Sequence, residues 1–331
     1  MSQAANHRGS RREQMAEATK RPERPALIIN PHSGGGKAEQ FGLVDAAGAL
    51  GIEAVVLEPD DDLAALAEAA VDRGADHLMM AGGDGSLGVV ADVAVKAGTT
   101  FGCVPVGTRN HFAMDIGLDR DDPLAALQAV AEPTSLAIDY ARIGGRMFLN
   151  NASFGVYATA IGDPDYRDHR TRSLAEAARR FDKDPAGRPD MIVEDDSGTR
   201  YDDGLVLLIS NNPYTFGGPP DFGSRTSLTS GQLGVLHVAM KHGRGPGGVG
   251  RPDRRSWTTS LQIVDAESGT LEAGVDGELL TFSAPLTVEA VPLGLHLLVP
   301  PLEEAGAKPD DVESSEAGIA HLSGTPVQSV R

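Results

Sequence analysis

Between Pro25 and about Ala137 the chain alternates short apolar runs with alanine-rich runs of helical character. Ala26-Leu27-Ile28-Ile29-Asn30, Ala54-Val55-Val56-Leu57, His77-Leu78-Met79-Met80 and Phe101-Gly102-Cys103-Val104 have the length and apolar content of buried strands. Helices are expected near Ala38–Leu50, Asp62–Arg73 and Leu87–Lys96. In the last of these, Leu87, Val90, Ala94 and Ala97 recur at helical spacing and share one face. Strand and helix in alternation predict a parallel sheet with right-handed crossovers.

After about Ile138 the helical period fades. Leu286, Val288 and Ala290 alternate with Thr287 and Glu289, as on a half-buried strand. Leu205–Ile209, Leu233–Met240 and Leu295–Val299 also read as strands. An α/β domain from residue 25 to 137 is therefore expected to precede a mainly antiparallel, β-rich domain from 138 to 302. The boundary falls near Ser135–Asp139, and one helical insertion is expected at Leu174–Arg180. Residues 1–24 and 303–331 hold few large apolar side chains and read as disordered tails, the first mildly basic and the second acidic.

Composition narrows the function classes. The 331 residues leave room for two domains and a sizeable core. A net charge of −18 argues against nucleic acid as the main partner. No apolar stretch approaches the roughly 18 residues of a membrane span. Arg8, Arg11, Arg12 and Arg21 stand near the start without the apolar segment of a signal peptide. Cys103 is the sole cysteine, so no intrachain disulfide forms, and a cytoplasmic location is expected. Inside an apolar run it reads as core packing rather than as a nucleophile.

Three glycine-rich loops follow strand-like runs and precede helix-like ones. Asn30-Pro31-His32-Ser33-Gly34-Gly35-Gly36-Lys37 is not a Walker loop, because Pro31 and Ala38 stand where Gly and Ser or Thr are needed. Its N–H groups and Lys37 remain candidates for phosphate, against a flexible turn. Gly82-Gly83-Asp84-Gly85-Ser86 suits close phosphate contact, with Asp84 set to hold a metal-bound water or a ribose hydroxyl and Ser86 to cap the next helix or bond phosphate. Gly107-Thr108-Arg109-Asn110 places short polar groups at a third strand-to-helix turn, with Arg109 either neutralising phosphate or solvated. His111 reads as a partly buried packing histidine rather than a catalyst. Loops of this kind at the carboxyl ends of strands in one sheet describe a phosphate pocket.

These residues carry a resemblance. Asn-Pro-x-Ser-Gly, Gly-Gly-Asp-Gly-Ser and Pro-x-Gly-Thr-x-Asn-x-Phe-Ala, in this order, resemble the diacylglycerol kinase catalytic domain family, which includes bacterial lipid kinases, sphingosine kinases and ceramide kinases. The likeness runs from about Ala26 to Pro300. It continues through Ala137-Ile138-Asp139, Met147 to Gly155, Ser210-Asn211-Asn212-Pro213 and Val275-Asp276-Gly277-Glu278.

The resemblance implies a phosphofructokinase-like α/β nucleotide domain followed by a β-rich domain with the acceptor site. It implies ATP as donor, with Asn30, Gly82, Gly83, Asp84, Gly85, Ser86, Gly107, Thr108 and Asn110 as nucleotide contacts and ATP-bound Mg²⁺ near Asp84. It implies Asp276 or Glu278 as the catalytic carboxylate. A lipid hydroxyl has too high a pKa to attack ATP unaided, so a carboxylate must take its proton, while Mg²⁺ and N–H groups neutralise the phosphates. Taken alone, Asp276-Gly277-Glu278 is a polar turn; on a strand, Asp276 and Glu278 would share one side.

Three departures from the family pattern stand out: Arg109 replaces a glycine, His111 replaces an aspartate, and Thr229-Ser230-Gly231-Gln232-Leu233-Gly234 lacks the carboxylates of an auxiliary Mg²⁺ site. That auxiliary metal is expected to be absent. Two basic stretches suggest peripheral docking on an anionic membrane, against a solvated charged surface. One is Arg167, His169, Arg170, Arg172, Arg179 and Arg180. The other is Lys241, His242, Arg244, Arg251, Arg254 and Arg255, in a glycine-rich loop before Trp257. The reading is an ATP-dependent lipid kinase, with diacylglycerol the simplest acceptor. Two alternatives stay open. A NAD kinase-like enzyme would share the Gly-Gly-Asp-Gly loop. A non-catalytic nucleotide or lipid sensor would suit Arg109 and the missing carboxylates.

Overall fold

The computed structural model describes residues 17–161, 189–215, 224–241 and 251–301. The first elements are β1 (Glu17–Ala18), β2 (Pro25–Ile29), α1 (Lys37–Gln40), α2 (Leu43–Ala49), β3 (Glu53–Val56), α3 (Leu63–Asp72), β4 (His77–Gly82), α4 (Asp84–Ala97), β5 (Thr100–Pro105), α5 (His111–Asp115) and α6 (Pro123–Ala131). Next come β6 (Thr134–Ile143), β7 (Arg146–Phe148), β8 (Asn151–Gly155), α7 (Val156–Ile161), β9 (Ile192–Glu194), β10 (Arg200–Tyr201), β11 (Gly204–Asn211), β12 (Tyr214–Thr215) and β13 (Ser224–Arg225). The last are β14 (Leu233–Lys241), β15 (Arg251–Thr259), β16 (Leu261–Asp265), β17 (Thr270–Val275), β18 (Glu278–Ser283) and β19 (Leu286–Val299).

Strands β3, β2, β4 and β5 pair in parallel, in that order. β2 and β4 are buried along their whole length, which accounts for the apolar runs Ala26–Ile29 and Leu78–Ala81, with His77 buried at the start of β4. Asp62 caps α3 by accepting the N–H groups of Ala64 and Ala65 at 2.8 and 3.2 Å. Gly98, at φ 69°, ends α4 in the left-handed region, where a glycine carries no penalty. The expected helix at Ala38–Leu50 is instead two, α1 and α2, separated at Gly42 with φ 59°.

The β-rich part builds a six-stranded antiparallel sheet in the order β15-β14-β11-β8-β17-β18. It does not stand apart from the first sheet. β19 pairs with β16 and β6 and ends beside β5, with Leu297 opposite Phe101. The last strand thereby extends the parallel sheet with antiparallel neighbours, giving 11 strands in all. The boundary expected at Ser135–Asp139 falls inside β6. Leu136, Ile138 and Tyr140 of that strand belong to the core of the α/β part, and Ala141 and Ile143 to the core between the sheets of the β-rich part. One ten-residue strand serves both cores, so the change of texture has no linker beneath it.

Two further expectations are corrected. Glu17–Arg24 is not part of a disordered tail: Glu17 and Ala18 pair with Ser135 and Thr134, and the Asp76 carboxylate accepts the N–H groups of Glu23 and Arg24. Arg251, Arg254 and Arg255 lie on β15 rather than in a loop. Arg255 pairs with Asp253 and Asp203 and stacks over the Tyr201 ring, so this charge is already compensated. Residues 162–188, with Arg167–Arg180 and the expected helix at Leu174–Arg180, lie outside the described residues, as do His242, Arg244 and the 303–331 tail.

Candidate active site

The three glycine loops meet at the carboxyl ends of β2, β4 and β5. Gly34, at φ 59°, backs onto the third loop: a Cβ there would stand 2.1 Å from the carbonyl oxygen of Val106. Gly107 packs on the second loop, where a Cβ would lie 2.6 Å from the Cα of Gly83. The Gly107 N–H donates to the Gly82 carbonyl at 3.1 Å and to the Asn110 Oδ1 at 3.0 Å. Backbone-to-backbone contact of this kind is open only to glycine.

Several sequence candidates have local roles in this frame. Asn110 is buried and its amide both accepts from and donates to Gly107, so it shapes the third loop. Asn30 accepts the His32 N–H and shapes the first. Asp84, expected to hold a metal-bound water or a ribose hydroxyl, accepts the N–H groups of His111 and Phe112 at 3.3 and 3.2 Å and so ties α4 to α5. Ser86 is not a helix cap: α4 starts at Asp84 after Gly83, which leaves Ser86 in the first turn. Thr108 is exposed at the tip of the third loop. His111 is partly buried, its side chain 45% exposed with Nδ1 3.9 Å from Asp84. The ammonium of Lys37 reaches the Arg120 carbonyl and Asp121. Cys103 is buried, and burial pushes its thiol well above the usual range, in keeping with a packing role.

Asp276 and Gly277 form a two-residue turn between β17 and β18, with φ 46° and 90°. Both are left-handed, as a type I′ hairpin requires, and Asp-Gly is a favoured sequence for it. The chain turns here rather than running on as a strand, and both acids come to α4: a Cβ on Gly88 would stand 3.8 Å from Oδ2 of Asp276, and one on Gly85 2.6 Å from Oε1 of Glu278. The Asp276 carboxylate turns inward onto the N–H groups of Leu149, Asn150 and Asn151 at 2.8, 2.9 and 3.1 Å. Burial pushes its carboxyl up to about 7; the three N–H donors pull against this, and the negative charge of Asp84 adds to the rise. Glu278 turns outward, pairs with Arg146 and lies against Gly85 of the second loop. The turn thus brings the late acidic motif to the glycine loops.

Sequence reasoning missed Arg225. Its side chain is 1% exposed. It donates to Asp115 at 2.6 and 2.8 Å, to the carbonyls of Leu149 and Asn211, and to Asn150 Oδ1. A lone arginine among Ser and Thr residues has no pattern that separates it from a surface charge. Tyr214, beside the Asn-Asn-Pro motif, also reaches this centre through Asn151 and the Asn150 carbonyl. In Thr229–Gly234 the polar groups are held by hydrogen bonds: Asn212 accepts from the N–H and hydroxyl of Ser230, and Asp139 accepts the Gly231 N–H.

The arrangement has relatives. Residues 24–143 match the Diacylglycerol kinase catalytic domain family. The chain is 32% identical over 304 residues to the Diacylglycerol kinase of Mycobacterium tuberculosis (strain ATCC 25618 / H37Rv), covering 82% of this chain and 94% of that protein. This chain belongs to the diacylglycerol kinase catalytic domain family. A protein of Pseudomonas putida named Probable lipid kinase YegS-like is 28% identical over 72% of this chain and 82% of its own length. The Diacylglycerol kinase of Bacillus subtilis (strain 168) matches at 26% over 49% of this chain and 54% of that protein. The crystal structure of a diacylglycerol kinase from Bacillus anthracis superposes with a TM-score of 0.60 at 18% identity, covering 86% of this chain and 99% of that one, and shares the fold.

As a diacylglycerol kinase family member, the chain is of a lipid kinase family built on an α/β part and an antiparallel β-rich part. The family model ends at Ile143, whereas Asp276, Glu278 and Arg225 lie beyond it. The match to the mycobacterial kinase covers the greater part of both chains, so likeness to the family extends past the glycine loops.

Proposed function

We propose that this chain is an ATP-dependent lipid kinase that transfers the γ-phosphoryl group to a lipid hydroxyl, with diacylglycerol the first acceptor to test. The observation that carries the reading is Asp276. Its carboxyl is fixed by three backbone donors, lies 3.8 Å from where a Cβ on Gly88 of α4 would stand, just past the second glycine loop, and protonates near 7. A general base is most effective with a pKa close to working pH, so Asp276 takes the hydroxyl proton as the oxygen attacks the γ-phosphorus. The bond to the ADP oxygen breaks in line, and ADP leaves with that electron pair.

ATP in this reading lies across Gly82–Ser86 and Gly107–Thr108, where glycine lets backbone N–H groups approach the phosphates. Mg²⁺ enters as part of the nucleotide substrate and neutralises the phosphate charge during transfer. Glu278 and Arg146 stand at the edge of the second loop, where a paired charge can exchange partners with an incoming phosphate. The acceptor comes from a bilayer, so contact with a membrane surface belongs to the same reading. None of the described helices is long and apolar enough to cross a membrane.

The experiment is transfer of labelled phosphate from ATP to a total lipid extract, with NAD offered in parallel. Labelled lipid, identified by mass spectrometry, names the acceptor. Asp276→Asn should reduce transfer by about 10²–10⁴-fold, the usual worth of a general base, with ATP binding retained. Unchanged transfer in that variant overturns the role of Asp276, and ATP binding without turnover on any lipid favours a sensor.

A further inference from the structure

The backbone that holds Asp276 is itself held. The carbonyl of Leu149 and the N–H of Asn150 belong to one peptide unit. Its oxygen accepts from Nη1 of Arg225, while its N–H donates to Asp276 at 2.9 Å. Nη2 of Arg225 also donates to Asn150 Oδ1 at 3.1 Å, and Nη1 donates to the Asn211 carbonyl at 3.2 Å. The guanidinium is anchored by Nε and Nη2 on one oxygen of Asp115, at 2.8 and 2.6 Å. Asp115 ends α5, the helix whose first N–H groups lie on Asp84.

From this geometry we propose that Arg225 is a positioning residue that orients the Leu149–Asn151 backbone donors on Asp276 and locks that carboxylate to the helix following the third glycine loop. A charged donor on the peptide oxygen polarises the amide and strengthens its N–H as a donor, since hydrogen bonds in a chain reinforce one another. A planar fork reaches Asp115 and the Leu149 carbonyl at once, which an ammonium group cannot. Among the described residues, the charged and titratable groups that act on Asp276 include Asp84 on α4, Arg225 on β13 and Tyr214 on β12, with Asp115 on α5 paired to Arg225 and Glu278 two residues along the chain. Arg225 is a cation buried among them, its side chain 1% exposed.

The catalytic meaning of this arrangement rests on the proposed role of Asp276, but its test does not. The full chain is labelled with ¹³C at aspartate carboxyls, and Asp276→Asn identifies the Asp276 resonance by its loss. Removal of the cation and slackening of the donors both favour the protonated acid. The Asp276 midpoint should therefore rise by about one unit or more in Arg225→Gln, and by less in Arg225→Lys, which keeps the charge and loses the fork. Turnover on lipid should fall in the same order, with KM for ATP little changed. An unmoved midpoint in either variant, folded by circular dichroism, overturns the proposal; where Arg225→Gln does not fold, Arg225→Lys decides. If the wild-type chain phosphorylates no lipid while the midpoint shifts as expected, the kinase reading fails and the positioning of Asp276 by Arg225 stands.

Discussion

Glu278 closes against Gly85: a Cβ on that glycine would stand 2.6 Å from Oε1 of Glu278. The obstructing atom is the end of a flexible side chain, and Gly85 lies inside α4, where alanine is favoured over glycine by about 1 kcal/mol. Gly85→Ala should therefore keep or raise the Tm. It should displace Glu278 from Arg146 and cut lipid phosphorylation by about 10²-fold, the scale of an ångström misplacement. Thermal unfolding and initial rates test this; a full rate in the stable variant would show that the contact is idle.

Gly107 has no such freedom. Its Cβ would meet the Cα of Gly83 at 2.6 Å and Oδ1 of Asn110 at 2.7 Å, and both loops are fixed by backbone hydrogen bonds. Gly107→Ala should destabilise the chain by about 1–3 kcal/mol, as overpacking does, and weaken ATP binding. Urea unfolding and calorimetric titration with ATP are the measurements. An unchanged midpoint and affinity would refute close packing of the two loops.

The pH dependence has a definite direction. Asp276 accepts a proton only when ionised, and its carboxyl protonates at about 7. The rate of lipid phosphorylation should rise with pH through about 7 and level off above it. Asp84 contributes to that high value through its negative charge. Asp84→Asn should therefore move the acidic limb to lower pH, whatever it does to the maximum rate. A limb that moves upward or stays put in this variant would contradict the electrostatic pairing.

His77 supplies an acid-sensitive point far from this chemistry. It is fully buried, its Nδ1 lies 2.9 Å from the Thr100 hydroxyl, and burial holds its imidazole down to about 4. The unfolded chain binds this proton near 6.5, so stability is full above 6.5 and is lost as pH falls toward 4. The loss amounts to roughly 3 kcal/mol at the acid end of that window. Urea melts of wild type and His77→Gln across that range should differ in slope, the variant being the flatter. Parallel slopes would exclude His77 as the source.

The α/β part was legible because its physics is local. β2 and β4 are buried throughout, and continuous apolar runs announce such strands. Glycines at strand-to-helix turns mark the loops for the same reason. Asp-Gly at 276–277 marks a hairpin, yet which way each acid turns depends on partners more than a hundred residues earlier in the chain: Leu149, Asn150, Asn151 and Arg146. The ends of β6 and β19 and the place of Glu17–Arg24 were equally hidden, because cross-strand partners far along the chain define them.

Residue order and spacing are enough to establish the α/β and β-rich texture, the three glycine loops and the Asp-Gly-Glu candidates, since each is written in neighbouring residues. Assembly into one site is a matter of long-range contact. Gly34 finds Val106, Gly107 finds Gly83, Glu278 finds Gly85, and Arg225 joins Asp115 to the peptide that holds Asp276. Arg225 in particular is an ordinary charged residue in the chain and a buried staple in the fold. Its meaning comes from desolvation, which requires every donor of a buried guanidinium to find an acceptor and so selects the carbonyls beside Asp276.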